Sequence, residues 1–240
     1  MNDSLAFNFA MIILHLNSKS VKIKNFVIKG HIMLDMNTII MFSLASALLA
    51  LAPGPDNIFV LTQSMVKGSK AGIIITLGLC TGLIFHTTAV ALGVAVIFQT
   101  SQIAFNILKF VGALYLLYLA YMSFKDASKT SLHVEGKVLL LGAMYRRGIL
   151  MNVTNPKVSI FFLAFLPQFI TQEGGNVTLQ VFMLGTLFML CALVVFSCIA
   201  LLAGKIGIWF TQTKSGEKIL NRVAGTIFAG LALKLALTSR

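Results

Sequence analysis

The sequence predicts an all-α, polytopic membrane protein with about six transmembrane segments, arranged as two inverted three-helix repeats with broken helices. Three observations carry that prediction. Apolar runs of 18 or more residues recur along the 240-residue chain. Lys and Arg gather at alternate connections between those runs. The chain also resembles itself, with a proline-broken run opening each half.

Composition sets the class. The chain is 58% hydrophobic and 11% charged, with a mean hydropathy of +0.91. Soluble domains are about 45–50% apolar and about 25% charged. The formal charge of +12 sits between apolar runs, so it reads as topogenic charge and not as a nucleic-acid surface. The expected partner is therefore the lipid bilayer, with no nucleic acid. Cys80, Cys191 and Cys198 all lie within apolar runs and show no metal-binding spacing, so they read as packing residues. No metal or cofactor is expected. The sequons at Asn152 and Asn176 read as chance matches.

Taken in order, residues 1–35 differ from the remainder. Leu5 to Leu16 is too short to span, and it lacks the basic flank and cleavage site of a signal peptide. Residues 1–35 therefore read as an N-terminal extension, or as sequence upstream of a true start at Met33 or Met36. Residues 36–240 form the transporter-like domain, with a first repeat at about 36–125 and a second at about 143–239.

Apolar segments fall at roughly 38–64, 71–97, 102–124, 143–169, 177–203 and 217–238. Lys67 and Lys70 follow the first. Lys125, Lys129, Lys137, Arg146 and Arg147 surround the third connection, against Asp126 and Glu135. Lys205, Lys214, Lys218 and Arg222 surround the fifth. The second and fourth connections, Gln99 to Gln102 and Thr171 to Val177, carry neither Lys nor Arg. The odd-numbered connections should thus be cytoplasmic and the C-terminus external. The side of the N-terminus depends on whether the first segment crosses fully or re-enters at its break.

The repeat is visible where ILKFVGALYLLYLA (Ile107 to Ala120) aligns with ILNRVAGTIFAGLA (Ile219 to Ala232). The other landmark pair is the first break, Pro53-Gly54-Pro55-Asp56-Asn57, and the second, Asn155-Pro156-Lys157. Each proline removes a backbone donor and interrupts the helical ladder. In hydrocarbon the freed groups need protein or a water-filled cavity around them. A three-segment unit inserts its second copy upside down, the plan of many secondary transporters.

Asp56 is the one acidic residue in the interior of the apolar stretches. It could cap the half-helix that begins at Pro55. It could equally bind a substrate ammonium or carry a proton, because burial favours its neutral form and a nearby cation its charged one. Asn57 stands beside it. In the second break, Asn155 offers an amide to freed backbone groups. Lys157 either snorkels to an interface, pairs with Asp56 or meets a substrate carboxylate. Two facing breaks would offer donors for a carboxylate and an acceptor for an ammonium, the two ends of an amino acid.

His86 shares one helix face with Gly78 and Gly82. Two readings stand for it: a structural hydrogen bond at a helix contact, or a proton relay. Gly68-x-x-x-Gly72 and Gly78-x-x-x-Gly82 permit close helix contacts within or between chains, which leaves a homo-oligomer open. Phe161, Phe162, Phe165 and Phe169 read as lipid-facing or packing residues. The chain contains no H-E-x-x-H, G-x-S-x-G, Walker A or dinucleotide motif, so no enzyme is expected. The competing classes are a membrane-embedded enzyme acting on a small polar or lipid substrate, and a passive channel.

Several stretches together resemble the LysE/RhtB family of amino-acid exporters. They are LLALAPGPDNIFVL with the Lys67-Gly68 to Gly72 connection, GLCTGLIFH, LKFVGALYLLYLAY, and RRGILMNVTNPKVSIFFLAFLPQF from Arg146 to Phe169. The resemblance covers about Met36 to Ser239. It implies a multi-pass protein of the bacterial inner membrane that exports amino acids, driven by the proton motive force. It also maps functional residues onto Pro53, Gly54, Pro55 and Asp56, and onto Asn155, Pro156 and Lys157. Some basic-amino-acid exporters of the family carry a second acidic residue after the second break. Here the chain continues Val158-Ser159-Ile160. That departure favours neutral substrates such as homoserine, threonine or leucine over basic ones.

Overall fold

Local signals in the sequence set where the first helices start and stop. The computed structural model describes residues 34–52, 54–100, 102–125, 140–171, 175–212 and 214–237, and every regular element among them is helical. Helix α1 (Met36–Leu51) starts at Asp35, whose carboxylate accepts from the Asn37 N–H at 3.3 Å. It ends at Ala52, whose φ of −58° and ψ of 125° is the conformation a following proline imposes. Pro53 lies outside the described residues, as do residues 1–33 of the extension predicted over 1–35. Helix α2 (Pro55–Lys67) places Pro55 in its first turn, where the missing N–H costs nothing. The pair α1 and α2 is bent by 62°.

Gly68 ends α2 with a φ of +82° and has open space where a side chain would go. This corrects the expectation that Gly68 and Gly72 form a packing pair. Gly68 turns the chain into α3 (Ser69–Thr100), and only Gly72 packs. Helix α4 (Gln102–Lys125) completes the first half. Of the third connection, Asp126, Lys129, Glu135 and Lys137 lie outside the described residues.

A second proline break follows later in the chain. Helix α5 (Leu141–Val153) stops before Asn155, which caps the short helix α6 (Pro156–Ile160). The chain continues as a π-helical turn, Phe161–Phe165, and a 3-10 turn, Leu166–Phe169. Pro167 cannot donate to an α-ladder, and the Leu166 N–H reaches back five residues to the Phe161 carbonyl. The α5–α6 break is bent by 48°. Asn176 then caps α7 (Val177–Gln212) through the Leu179 N–H at 3.1 Å, and α8 (Lys214–Leu237) closes the chain.

The helices lie where the apolar segments were predicted, but among the described residues two to four of the six expected spans are long and apolar enough to cross a membrane. Ser69–Gly93 and Val177–Ala203 are each long and apolar enough to cross a membrane. Each bent pair meets the same requirement when counted as one broken span.

Small residues let the helices meet. A Cβ on Gly148 would lie 2.6 Å from the Ile75 carbonyl oxygen and 3.2 Å from the Gly78 Cα, so α3 and α5 touch backbone to backbone. A Cβ on Gly82 would lie 2.7 Å from Asn152 Oδ1. Gly72, Gly78 and Gly82 thus meet partners inside the chain and no longer argue for a homo-oligomer. Helix α7 packs on α3 and on both α1 and α2, while α4 packs on α8.

The core is aromatic. Phe42 of α1 meets Phe169 edge-on at 5.1 Å, Phe162 meets Phe188 of α7 edge-on at 5.1 Å, and Phe161 lies tilted against Phe165 at 4.8 Å. Phe161, Phe162, Phe165 and Phe169 are buried, so of the two sequence readings the structure selects packing.

Candidate functional site

Proline leaves backbone carbonyls without their helical donors, and at both breaks side chains take over that duty. In a continuous helix the Ala50 carbonyl would accept from residue 54 and the Ala52 carbonyl from residue 56. Here the Asn57 amide, through Nδ2, donates to the Ala50 carbonyl at 2.7 Å. The Lys157 ammonium reaches across from the second break and donates to the Ala52 carbonyl at 3.0 Å.

The second break is served from elsewhere. Pro156 deprives the Asn152 carbonyl of its i+4 donor. The Asn155 N–H donates to it at 3.0 Å, and His86 Nε2 of α3 lies 3.1 Å away. Since a carbonyl only accepts, that geometry calls for the proton on Nε2. Asn155 Oδ1 accepts from the Lys157 N–H at 3.0 Å, capping α6.

The two breaks meet at a charge pair. Lys157 Nζ lies 3.4 Å from Asp56 Oδ1, and the two side chains are 8% and 3% exposed. Burying an ion pair is tolerable only when further hydrogen bonds satisfy both ends. The Ala52 carbonyl supplies one for Lys157, and Asp56 sits in the first turn of α2, where exposed N–H groups favour negative charge. Gly54 makes the approach feasible: a Cβ there would lie 2.7 Å from Asp56 Oδ1 and 3.2 Å from Lys157 Nζ. Its φ of −168° is open to any residue, so closeness and not backbone freedom calls for glycine.

The structure therefore brings together Gly54, Pro55, Asp56 and Asn57 of one break with Asn155, Pro156 and Lys157 of the other. Pro53 lies outside the described residues. His86 stands one step away, bonded to the Asn152 carbonyl and against the Phe162 ring at 5.7 Å.

A narrow cavity of about 10 Å³ adjoins the pair, room for about one water molecule. Asp56, Asn152 and Lys157 are its polar lining, and residues such as Leu49, Leu83, Phe188 and Phe196 form the apolar wall. Asn57 Oδ1, Asn152 Oδ1 and Asn155 Nδ2 are buried without a hydrogen-bond partner among the described residues. Of the three residues, Asn152 alone lines the cavity. The arrangement can separate its own charges and re-pair them with a molecule that carries one of each.

Sequence reasoning began the second break at Asn152 but gave that residue no role of its own, although it lies four residues before Pro156 and its carbonyl had to find another donor.

The family model for LysE type translocators matches residues 47–239. The homoserine/homoserine lactone efflux protein of Salmonella typhimurium is 34% identical over 195 residues, 81% of this chain and 94% of that protein. The leucine efflux protein of Salmonella choleraesuis is 29% identical over 189 residues, 78% of this chain and 89% of that protein. An uncharacterized membrane protein of Bacillus subtilis, YrhP, is 29% identical over 212 residues, 85% of this chain and all of that protein. No solved structure matches significantly. The family is one of translocators and two of these relatives are named as efflux proteins, which speaks for a translocator and against the membrane-embedded enzyme. With its broken, apolar helices and a family match across most of its length, this membrane protein belongs to the LysE type translocators.

Proposed function

We propose that the protein exports small neutral amino acids across the cytoplasmic membrane of a bacterium, driven by the proton motive force. The observation that carries this reading is the buried Asp56–Lys157 pair, contributed by opposite breaks. An α-amino acid carries a carboxylate and an ammonium. It can replace each member of the pair like for like, Lys157 taking the carboxylate and Asp56 the ammonium. Asn57 and Asn155 hold the two breaks in the shape that presents those charges.

A basic substrate would bring a second cation beside Lys157, and residues 158–160 supply no further carboxylate for it. That supports neutral substrates, as do relatives named for homoserine and leucine efflux. Coupling to protons is reasonable at Asp56, because protonation would release Lys157 and let the pair open.

Two inverted halves of three segments are the arrangement we favour. The aligned stretches 107–120 and 219–232 fall on α4 and α8, which pack together. Exchanging the halves also turns the contact of α3 with α5 into that of α7 with α1 and α2. Helix pairs related in this way are what a two-fold axis in the membrane plane would generate.

Efflux from cells loaded with labelled amino acid tests the reading. Asp56→Asn should lower export by at least about tenfold, the loss of one charge-assisted contact, with normal protein in the membrane. Export at the wild-type rate by that variant would remove Asp56 from the site.

A further inference from the structure

We infer that the phenylalanine layer centred on Phe161 is the outer gate of the transport path, and that one polar face of α2 is its cytoplasmic approach. The inference rests on the exporter reading above and goes beyond it by assigning the residues that shut the central pair off on either side. Charge orients the two routes. Lys67 and Lys70 follow α2, whereas the Thr171 to Val177 connection beyond Phe169 carries neither Lys nor Arg. Helix α2 thus runs from the first break toward the cytoplasm, and residues 157–169 run from the second break toward the outside. Phe42 of α1 meets Phe169, so α1 lines the outer route as well.

The two routes are built differently. Phe161 stands one helical turn beyond Lys157, and its N–H donates to the Lys157 carbonyl. Its ring centroid lies 5.8 Å from that of Phe42, 4.8 Å from Phe165 and 5.2 Å from Phe188. Phe188 also lines the cavity beside the charge pair, so the layer begins where the cavity ends. A zwitterion would have to shed its hydration to cross these buried rings, which is how an apolar constriction stays shut. On the other route Asp56, Val60, Gln63 and Lys67 share one face of α2. Gln63 is 6% exposed, and its Oε1 has no hydrogen-bond partner among the described residues. Such an oxygen costs stability while the route is dry and gains a partner when water enters. Beside it Ser64 and Ala200 of α7 meet at Gly72, small side chains where the outer route has rings. The outer layer has its own means of moving. The π-helical turn Phe161–Phe165 holds one residue more than an α turn, so passing between the two forms rotates the rings against one another.

Cysteines placed on the two routes test the assignment. Gln63→Cys and Phe161→Cys are reacted with a membrane-impermeant maleimide in right-side-out and inside-out vesicles, with leucine present, above the wild-type background of Cys80, Cys191 and Cys198. Gln63→Cys should react at least about tenfold faster from the cytoplasmic face, and Phe161→Cys at least about tenfold faster from the external face. A Phe161→Cys thiol that reacts from the cytoplasmic face, or from neither, would overturn the gate and leave the rings as core packing. A Gln63→Cys thiol closed to the cytoplasmic face would overturn the α2 approach. Should Phe161→Cys fail to fold, Phe42→Cys on the opposite wall carries the same prediction. Efflux of labelled leucine and homoserine by the wild type, measured in the same vesicles, keeps the two readings apart. Transport beside a Phe161→Cys thiol closed to the outside sinks the gate alone. Labelling on the expected sides without transport sinks the exporter reading and leaves the two routes as assigned.

Discussion

The two breaks share a grammar and divide the chemistry. Each joins a helix to a half-helix that begins with proline in its first turn, and each carries an asparagine that bonds local backbone. Yet the first presents a carboxylate and the second an ammonium. They also differ in how they are completed. The first depends on the second, because Lys157 donates to the freed Ala52 carbonyl. The second draws its extra donor from His86 of α3. Beyond the breaks, α2 continues with buried polar residues Thr62, Gln63 and Ser64, whereas the segment after α6 is a π-helical turn packed with buried phenylalanines. The two breaks are similar frames, and the charged residues set in them are complementary. A site built this way needs both halves to be a site at all.

Restoring the helix at the second break is the harshest test of that division short of removing a charge. Pro156→Ala returns an N–H that can bond the Asn152 carbonyl, so α5 and α6 can straighten and draw Lys157 from Asp56. Export should fall by about tenfold, the loss of a charge-assisted contact, and thermal stability should fall as the buried charges separate. Unchanged export would show that the bend does not position Lys157.

A smaller effect is expected at His86. His86→Ala removes one hydrogen bond and should lower stability by about 1 kcal/mol in a thermal melt. His86→Gln keeps a side-chain donor and should recover most of the stability and export. If Gln restores stability but leaves export impaired, His86 carries protons and the comparison of the two breaks needs a third member.

Much of this was legible in the sequence, for a physical reason. Proline acts locally, so both interruptions could be placed before the structure was known, and hydropathy placed the helix ends within a few residues except at α7, which runs on to Gln212. The pairing of Asp56 with Lys157 was one of three readings open for the lysine, and the structure sets the two 3.4 Å apart. The facing of residues was illegible. In a helix that is apolar all round, periodicity does not mark the buried side: Phe161 is 0% exposed and Leu163 43%, two residues apart in one apolar run. Gly68 was misread because its spacing from Gly72 mimics a packing motif, while its role is a turn of positive φ. Asn152 was passed over as a sequon because its value lies in what surrounds it.

The central claim is that Asp56 and Lys157 act as one unit across the two breaks. A double-mutant cycle on the stability of purified protein tests it most directly, using Asp56→Asn, Lys157→Met and the double variant. Either single change should cost roughly 3–5 kcal/mol by leaving a buried charge alone, and Lys157→Met should cost more because it also orphans the Ala52 carbonyl. The double variant should be more stable than Lys157→Met alone. Losses that simply add would contradict the pair, and with it the reading of two breaks as one site.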